Sequence, residues 1–205
     1  MEREREKEGE SKKSGGRAGT SSCARALRSP QFWPGILALV LAPSALFAAQ
    51  VLSIEGVGMA TSNYAVQLSV GDTLDAGRTI RTNHFATCTL GWSGNTEKVS
   101  LEPDSNAELV GDNPIRFRLD SGTMRLSGKD VEVATAQATT TIRQAGSYLI
   151  SLKDRKEIVD VLAGEAAVVV GANKEQYALR GGEELEIGAN GAVKKGSVAP
   201  KGEGK

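Results

Sequence analysis

Glycine turns at short intervals are the sequence feature that most restricts how this chain can fold. Beyond residue 50, glycines and Asn-Gly or Gly-Asn pairs separate apolar or alternating runs of three to eight residues. No window of eleven or more residues shows a clean helical apolar period. Short alternating runs between turn residues are typical of β-strands. The pattern predicts an all-β domain, an antiparallel β-sandwich or β-roll of about a dozen short strands.

The segment from residue 70 to residue 90 shows this pattern most clearly. Gly71 and Gly77 lie on either side of Leu74, and an alternating run follows them. Threonines occupy one side of that run, and the other side is apolar, so we expect it to be buried. The residues predicted to be buried are Ile80, Ala86, Cys88 and Leu90.

The first 49 residues have the composition of a protein-export segment rather than of a folded domain. Residues 1–30 are charged and polar without apolar periodicity, which predicts a disordered tail. Residues 32–49 form a run of eighteen uncharged residues that follows basic residues and ends in small ones. A basic flank, an apolar run and small residues are the three parts of a secretory signal. Residues 31–49 are therefore predicted to be a signal peptide, forming an apolar helix cleaved after Ala48 or Ala49.

An uncleaved signal anchor is the alternative interpretation, because eighteen apolar residues just reach spanning length. Pro34 and Pro43 shorten the strongly apolar part, which favours cleavage. In either case the domain at residues 50–195 is expected outside the cytoplasm, periplasmic or secreted, or anchored in the cytoplasmic membrane. The only membrane contact expected is through residues 32–49, if they are uncleaved. Residues 196–205 are rich in Pro, Gly and Lys and are predicted to be disordered.

Charge and cysteine content narrow the range of functions. Residues 1–48 carry 8 basic and 5 acidic side chains, which leaves 17 basic and 20 acidic ones in the rest of the chain. A mildly acidic domain lacks the attraction that drives nucleic-acid binding, so no nucleic-acid partner is expected. Cys23 and Cys88 lie on opposite sides of the apolar segment, so no disulfide is expected after cleavage. Cys88 is predicted to be a small buried thiol.

Residues that could carry catalysis are sparse. His84 is the only histidine, so any Ser-His-Asp triad would have to use it, and a histidine-rich metal site is excluded. Its place beside Asn83 at a strand entrance predicts a surface or turn histidine. Acidic residues that could bind calcium or act as acid and base are interpreted as solvated. They are the pair Asp72 and Asp75 and the row Glu183, Glu184 and Glu186.

Two further sequence patterns resemble anion-binding sites. Arg116, Arg118 and Arg125 would form an arginine row, which is more typical of a solvated strand face than of an anion site. Residues 122–130 resemble a phosphate loop only loosely, because Asp130 replaces the required Ser or Thr and no helical pattern follows. No catalytic residue, metal or cofactor is therefore predicted, and the ligand-binding residues are not assigned.

The order of turns and strands over roughly residues 64–194 resembles the FecR-type domain, an extracytoplasmic module of Gram-negative bacteria. Four segments carry the resemblance, none of them specific alone. They are Val70–Thr82; Ala86–Leu101, which continues through Glu102 and Pro103 into Asp104–Leu109; Phe117–Leu126 with Val131–Thr135; and Val159–Val168 with Leu179–Leu185. The resemblance implies an all-β domain outside the cytoplasmic membrane that makes non-covalent contacts.

In regulators with this domain, the resemblance further implies a signal received from an outer-membrane transporter and passed to a sigma factor. This chain differs in that only a solvated tail precedes the apolar segment, where the regulators carry a folded helical domain. The additional C-terminal domain of the regulators is not expected either. Gly146-Ser-Tyr148 replaces the family's common Gly-Thr and aromatic in the middle strand.

The sequence therefore predicts a non-catalytic, extracytoplasmic FecR-like module that binds a protein or an envelope polymer through surface loops and strand edges. The first alternative is a signalling component related to FecR-type sigma-factor regulators that senses an outer-membrane transporter. The second is a hydrolase of envelope polysaccharide.

Overall fold

The computed structural model describes residues 48–56, 60–63, 66–171 and 174–198. They all lie in the larger of two compact units of the chain, Pro43–Lys205. The described residues form an all-β structure that contains no helix. No helical segment in these ranges has the length and hydropathy that a membrane crossing requires. The predicted tail at residues 1–30 and nearly all of the predicted apolar helix at residues 31–49 lie outside the described residues.

Seventeen strands are hydrogen-bonded into one large mixed sheet. The first nine are β1 (Ala49–Glu55), β2 (Ala60–Ser62), β3 (Val66–Gln67), β4 (Thr73–Leu74), β5 (Arg78–Thr82), β6 (Thr87–Trp92), β7 (Lys98–Leu101), β8 (Asn106–Asp112) and β9 (Ile115–Gly128). The others are β10 (Val131–Ala134), β11 (Ala138–Ile142), β12 (Gly146–Lys153), β13 (Lys156–Ala163), β14 (Glu165–Val170), β15 (Glu175–Arg180), β16 (Glu183–Ile187) and β17 (Val193–Ser197). Paired strands are antiparallel except β9 and β10, which run parallel.

The sheet divides into two subsheets that share β9. Subsheet A has the spatial order β4-β1-β6-β7-β9-β12-β13-β16-β17. Subsheet B has the order β3-β2-β5-β8-β9-β10-β11-β14-β15. Residues 115–121 of β9 pair within subsheet B, and residues 122–128 pair within subsheet A. β9 therefore connects the two subsheets covalently at the centre of each.

The bend in β9 follows from its sequence. Ile115, Phe117 and Leu119 are buried on odd positions, whereas Met124 and Leu126 are buried on even positions. A regular strand keeps one parity on each face, so the change requires an irregularity between Leu119 and Met124. That irregularity is at Gly122, whose φ of +88° is accessible mainly to glycine. The apolar alternation alone predicts two separate strands, at residues 115–119 and 122–126, and the structure corrects this to one bent strand.

Alternation of apolar and polar residues places the inward side chains of both subsheets in a single core. The core is almost entirely aliphatic, with Trp92, Phe117 and Tyr148 as its aromatic members. Ile80, Ala86, Cys88 and Leu90 are fully buried, as their spacing predicted. The sheet continues to Ser197, two residues beyond the domain boundary predicted at residue 195 and into the tail predicted to be disordered. At the N-terminal end of the sheet, Ala49 is fully buried and pairs with Leu74 and Trp92.

Candidate functional site

A polar cleft of about 510 Å³ lies where strand β5 ends and strand β8 begins in subsheet B, next to the bend in β9. Its base is a cross-strand row to which four neighbouring strands each contribute one side chain. The row consists of Thr61 of β2, Arg81 of β5, Asn106 of β8 and Ser121 of β9. Because His84 lies on the rim, we call this site the His84 cleft.

Two loops form the walls of the His84 cleft, one between β5 and β6 and the other between β7 and β8. The Nδ1 atom of His84 lies 2.6 Å from Oδ2 of Asp104, which joins the two loops at their exposed tips. Asp104 has a φ of +58°, a conformation that aspartate tolerates better than most residues. The ring of Phe85 meets the His84 ring edge to face, with centroids 4.7 Å apart. Phe85 is 62% exposed, so an aromatic ring stands uncovered beside the cleft.

Two buried hydroxyl groups hold these loops in place. Thr82 Oγ1 donates to the Glu102 carbonyl at 2.6 Å and accepts from the Ser105 amide at 3.0 Å. Ser105 Oγ donates to the Thr123 carbonyl at 3.0 Å and accepts from the Thr123 amide at 2.9 Å. Thr82 and Ser105 are almost completely inaccessible to solvent. The loops are thus fixed to each other and to β9, so the cleft is preorganised.

Arg81 and Asn106 present unused hydrogen-bonding capacity in this rigid setting. Arg81 is exposed and forms no ion pair with any described residue. Asn106 Oδ1 is buried and accepts no hydrogen bond within the described part of the chain. Its Nδ2 atom makes one long hydrogen bond, 3.4 Å, to Asp120. A buried acceptor without a donor is costly unless water or a ligand supplies one. Of these two groups, the exposed Arg81 can donate to a ligand, whereas Asn106 Oδ1 is shielded from solvent and from a ligand in the cleft.

His84 occupies the position that the sequence predicted, an exposed turn between strands. Its hydrogen bond to Asp104 reproduces two members of a Ser-His-Asp triad. In the part of the chain that the structure describes, no hydrogen bond joins His84 to a hydroxyl group. Ser121 lines the same cleft but makes no contact with His84 that would activate it. The arrangement thus provides polar contacts without an activated nucleophile.

The arginine row expected at Arg116, Arg118 and Arg125 does not exist as one row. Arg116 and Arg118 lie on the part of β9 in subsheet B, and Arg125 lies beyond the bend in subsheet A. Arg118 is ion-paired with Glu108 and Asp120, at 2.6 and 3.2 Å. Arg125 pairs with Glu102 at 3.2 Å. The interpretation as a solvated strand face agrees with these positions.

Three of the acidic residues singled out in the sequence, Asp72, Glu183 and Glu186, have local structural partners. Asp72 Oδ2 accepts a hydrogen bond from the Ser69 amide at 2.8 Å, which closes a turn. Glu183 and Glu186 pair with Lys195 and Lys156, and these hydrogen bonds lower the pKa of each carboxyl group. Across residues 48–56, 60–63, 66–171 and 174–198, no group of three potential ligands is placed to hold a metal ion.

Two other sequence features also have clear positions. Cys88 is a free, buried cysteine on β6, and burial raises the pKa of its thiol to about 11. The prediction of a small buried thiol is confirmed. The segment at residues 122–130 that loosely resembles a phosphate loop is mostly the second half of β9, an extended strand.

Sequence reasoning found His84 but missed the cross-strand row beneath it. Thr61 and Ser121 are sixty positions apart in the chain, and only the register of four strands brings them to one base. Arg81 alternates with Ile80, which is buried as predicted; Thr82 is buried as well, although the threonines of this run were expected on the opposite side. That signal marks an outward position, but it does not identify the neighbours of that position.

Comparison with known proteins supports the fold. No family model and no curated protein matches this chain. The crystal structure at 1.65 Å of a proposed anti-sigma factor from Parabacteroides distasonis is similar, with a TM-score of 0.50 and 17% sequence identity. The match covers 58% of this chain and 59% of that one. A second proposed anti-sigma factor structure from the same organism, at 2.50 Å, has a TM-score of 0.45 and 16% identity over 68% and 60% of the two chains. This chain thus spans about three fifths of the length of these solved structures.

Proposed function

We propose that this chain is a non-catalytic binding module that acts outside the cytoplasm and holds a protein or an envelope polymer in the His84 cleft. The observation that carries the proposal is the preorganised cleft with Arg81 exposed in its base and without an ion pair among the described residues. The proposed framework is a FecR-like antiparallel β-sandwich or β-roll. Its support is the common core of the two subsheets and the shared strand β9.

Rigid loops favour binding because little conformational entropy is lost when a ligand is held. Thr82 and Ser105 provide that rigidity from below the cleft, where neither side chain is exposed. An anionic or carbonyl group of a ligand would satisfy Arg81, and a ligand hydroxyl would pair with Thr61 or Ser121. These contacts need no proton transfer or covalent step.

Cross-linking capture from cell-envelope extracts tests this proposal. The full chain is compared with the double variant Arg81→Ala/Asn106→Ala and with Arg143→Ala, which removes an exposed arginine outside the cleft. We expect the unaltered chain and the Arg143 variant to retain the same protein or polymer and the double variant to lose it. Equal retention by all three, or no specific retention, would contradict the proposal.

A signalling component is the second candidate function. It is supported by the resemblance of residues 64–194 to FecR-type domains and by the fold shared with a proposed anti-sigma factor. In this case, residues 32–49 would remain as an anchor in the cytoplasmic membrane. Cell fractionation should then find the chain in the membrane, and a sigma factor should co-purify with it. A soluble product without such a partner would favour the plain binding module.

A polysaccharide hydrolase is the remaining alternative from the sequence. The His84–Asp104 pair offers a direct test of acid-base chemistry. We expect no turnover of cell-wall polysaccharide by the unaltered chain. Turnover that is abolished by Asp104→Asn would instead establish an enzyme.

A further inference from the structure

We propose that the ligand of the His84 cleft is a sugar chain that carries carboxylate groups, and that Arg81 binds one of these carboxylates. This inference rests on the proposed binding function and specifies its ligand. It follows from three features: Arg81 has no acidic partner among the described residues, the base of the cleft is polar, and an exposed aromatic ring lies beside His84.

Arg81 and Arg118 both lie in subsheet B, but they differ in their acidic partners. Arg118 is neutralised by Glu108 and Asp120, whereas Arg81 has no acidic partner in the part of the chain that the structure describes. A guanidinium group presents its donors in a planar fork that matches a carboxylate with two parallel hydrogen bonds. An arginine in the middle of a cleft base is thus suited to a ligand carboxylate.

The remaining base of the cleft suits hydroxyl groups. Thr61 and Ser121 each offer a hydroxyl group beside Arg81. Sugar hydroxyls both donate and accept, so one pyranose ring can satisfy several such groups together. A simple anion such as sulfate accepts hydrogen bonds but donates none, which is why the inference specifies a sugar and not a simple anion.

The aromatic ring next to His84 adds a contact for the apolar face of a sugar. Phe85 is 62% exposed, and the ring of His84, which lines the cleft, meets it edge to face with centroids 4.7 Å apart. The backbone amide of Phe85 donates to Asn83 Oδ1 at 3.2 Å. An exposed aromatic ring provides apolar contact area at low conformational cost. The cleft volume of about 510 Å³ lies within the range of known small-ligand sites.

Isothermal titration calorimetry of the full chain tests the inference with two probes of equal length, trigalacturonic acid and neutral maltotriose. We expect trigalacturonic acid to bind at least about tenfold more tightly, since charge-assisted hydrogen bonds are stronger than neutral ones. Arg81→Gln should reduce the affinity for trigalacturonic acid by about tenfold to a hundredfold and leave maltotriose unchanged. Arg143→Gln, an exposed arginine outside the cleft, should change neither affinity.

The outcomes separate this inference from the proposed function. Equal affinity for the two trisaccharides, or no binding of trigalacturonic acid at millimolar concentration, would overturn the carboxylate assignment. Capture of an envelope protein or neutral polymer that depends on the cleft would then leave the proposed function in place. Unchanged capture by the Arg81→Ala/Asn106→Ala variant would overturn the proposed function itself. The melting temperature of each variant confirms that it is folded.

Discussion

A Cβ atom at Gly122 would lie 2.4 Å from the Cα atom of Ser105, a separation that no side chain could occupy. The close approach is possible because Gly122 lacks a side chain and has a φ of +88°. At this point β9 leaves subsheet B and enters subsheet A. Ser105 also holds the wall of the His84 cleft, so the bend of the sheet and the shape of the cleft depend on one contact.

Gly122→Ala should therefore destabilise the chain strongly. The substitution combines backbone strain at positive φ with a backbone clash, and we expect a loss of more than about 3 kcal/mol in the free energy of unfolding. Gly182→Ala is the matched control, because Gly182 has the same φ of +88° and a Cβ there would meet nothing within 4 Å. The control should lose only about 1–2 kcal/mol. Urea denaturation of both variants measures the difference, and equal losses would contradict the role given to Ser105.

The bend at Gly122 also shows what the sequence could and could not predict. The apolar pattern on each side of it was readable, and the inward residues Phe117, Leu119, Met124 and Leu126 follow from alternation alone. The sequence pattern predicted that a second strand begins at Gly122, after a break, since glycine commonly marks turns. Only the pairing of both halves with other strands shows that the chain continues as one strand through the bend.

About a dozen strands were predicted, and seventeen are observed in the described residues. Very short strands contribute to this difference. β2 has three residues, and β4 has two. Such strands have too few residues for a period to be detected, and they exist because a longer neighbour supplies the hydrogen bonds. By contrast, β5 at Arg78–Thr82 is long enough to show a clear alternation, and glycine and polar residues flank it.

Tyr148→Phe should measurably weaken the domain. The Tyr148 side chain is buried, and its hydroxyl contacts the carbonyls of Gln144 and Glu165 at 2.8 and 3.2 Å, so its removal takes this donor from both carbonyls. We expect a loss of about 1–2 kcal/mol in the free energy of unfolding. Tyr177→Phe is the control, since its hydroxyl donates only to the exposed Glu175 side chain, and it should leave stability nearly unchanged. Chemical denaturation compares the two, and a similar small effect of both would show that the Tyr148 hydrogen bonds do not stabilise the fold.

Cys88 should be unreactive while the chain is folded. Burial excludes reagents and raises the pKa of its thiol to about 11, so very little thiolate is present at pH 8. In a Cys23→Ser variant, which leaves Cys88 as the only thiol, a disulfide reagent should react only after unfolding in denaturant. The reaction is followed by absorbance as denaturant is added. Rapid modification under native conditions would show that β6 opens locally.

Glu157 should make the stability of the chain fall as pH rises. Its side chain is fully buried, Oε2 accepts a hydrogen bond from Thr135 Oγ1 at 2.5 Å, and Oε1 has no partner among the described residues. Burial raises the pKa of this carboxyl group above its usual value of 4.5, although the Thr135 hydrogen bond opposes the shift. Because the folded state holds the proton more tightly, its contribution is fully present below about pH 4.5 and is lost as pH rises through the raised pKa.

Glu157→Gln isolates this contribution, because the amide keeps the shape and the acceptor for Thr135 but cannot ionise. The difference in unfolding free energy between the unaltered chain and the variant should therefore shift in favour of the variant from pH 4 to pH 8. Glu132→Gln, on the outer side of β10, is the control and should give a difference that varies little with pH. Urea denaturation across this pH range measures all three proteins. A constant difference for Glu157→Gln would mean that the carboxyl group ionises as readily in the folded chain as in the unfolded one.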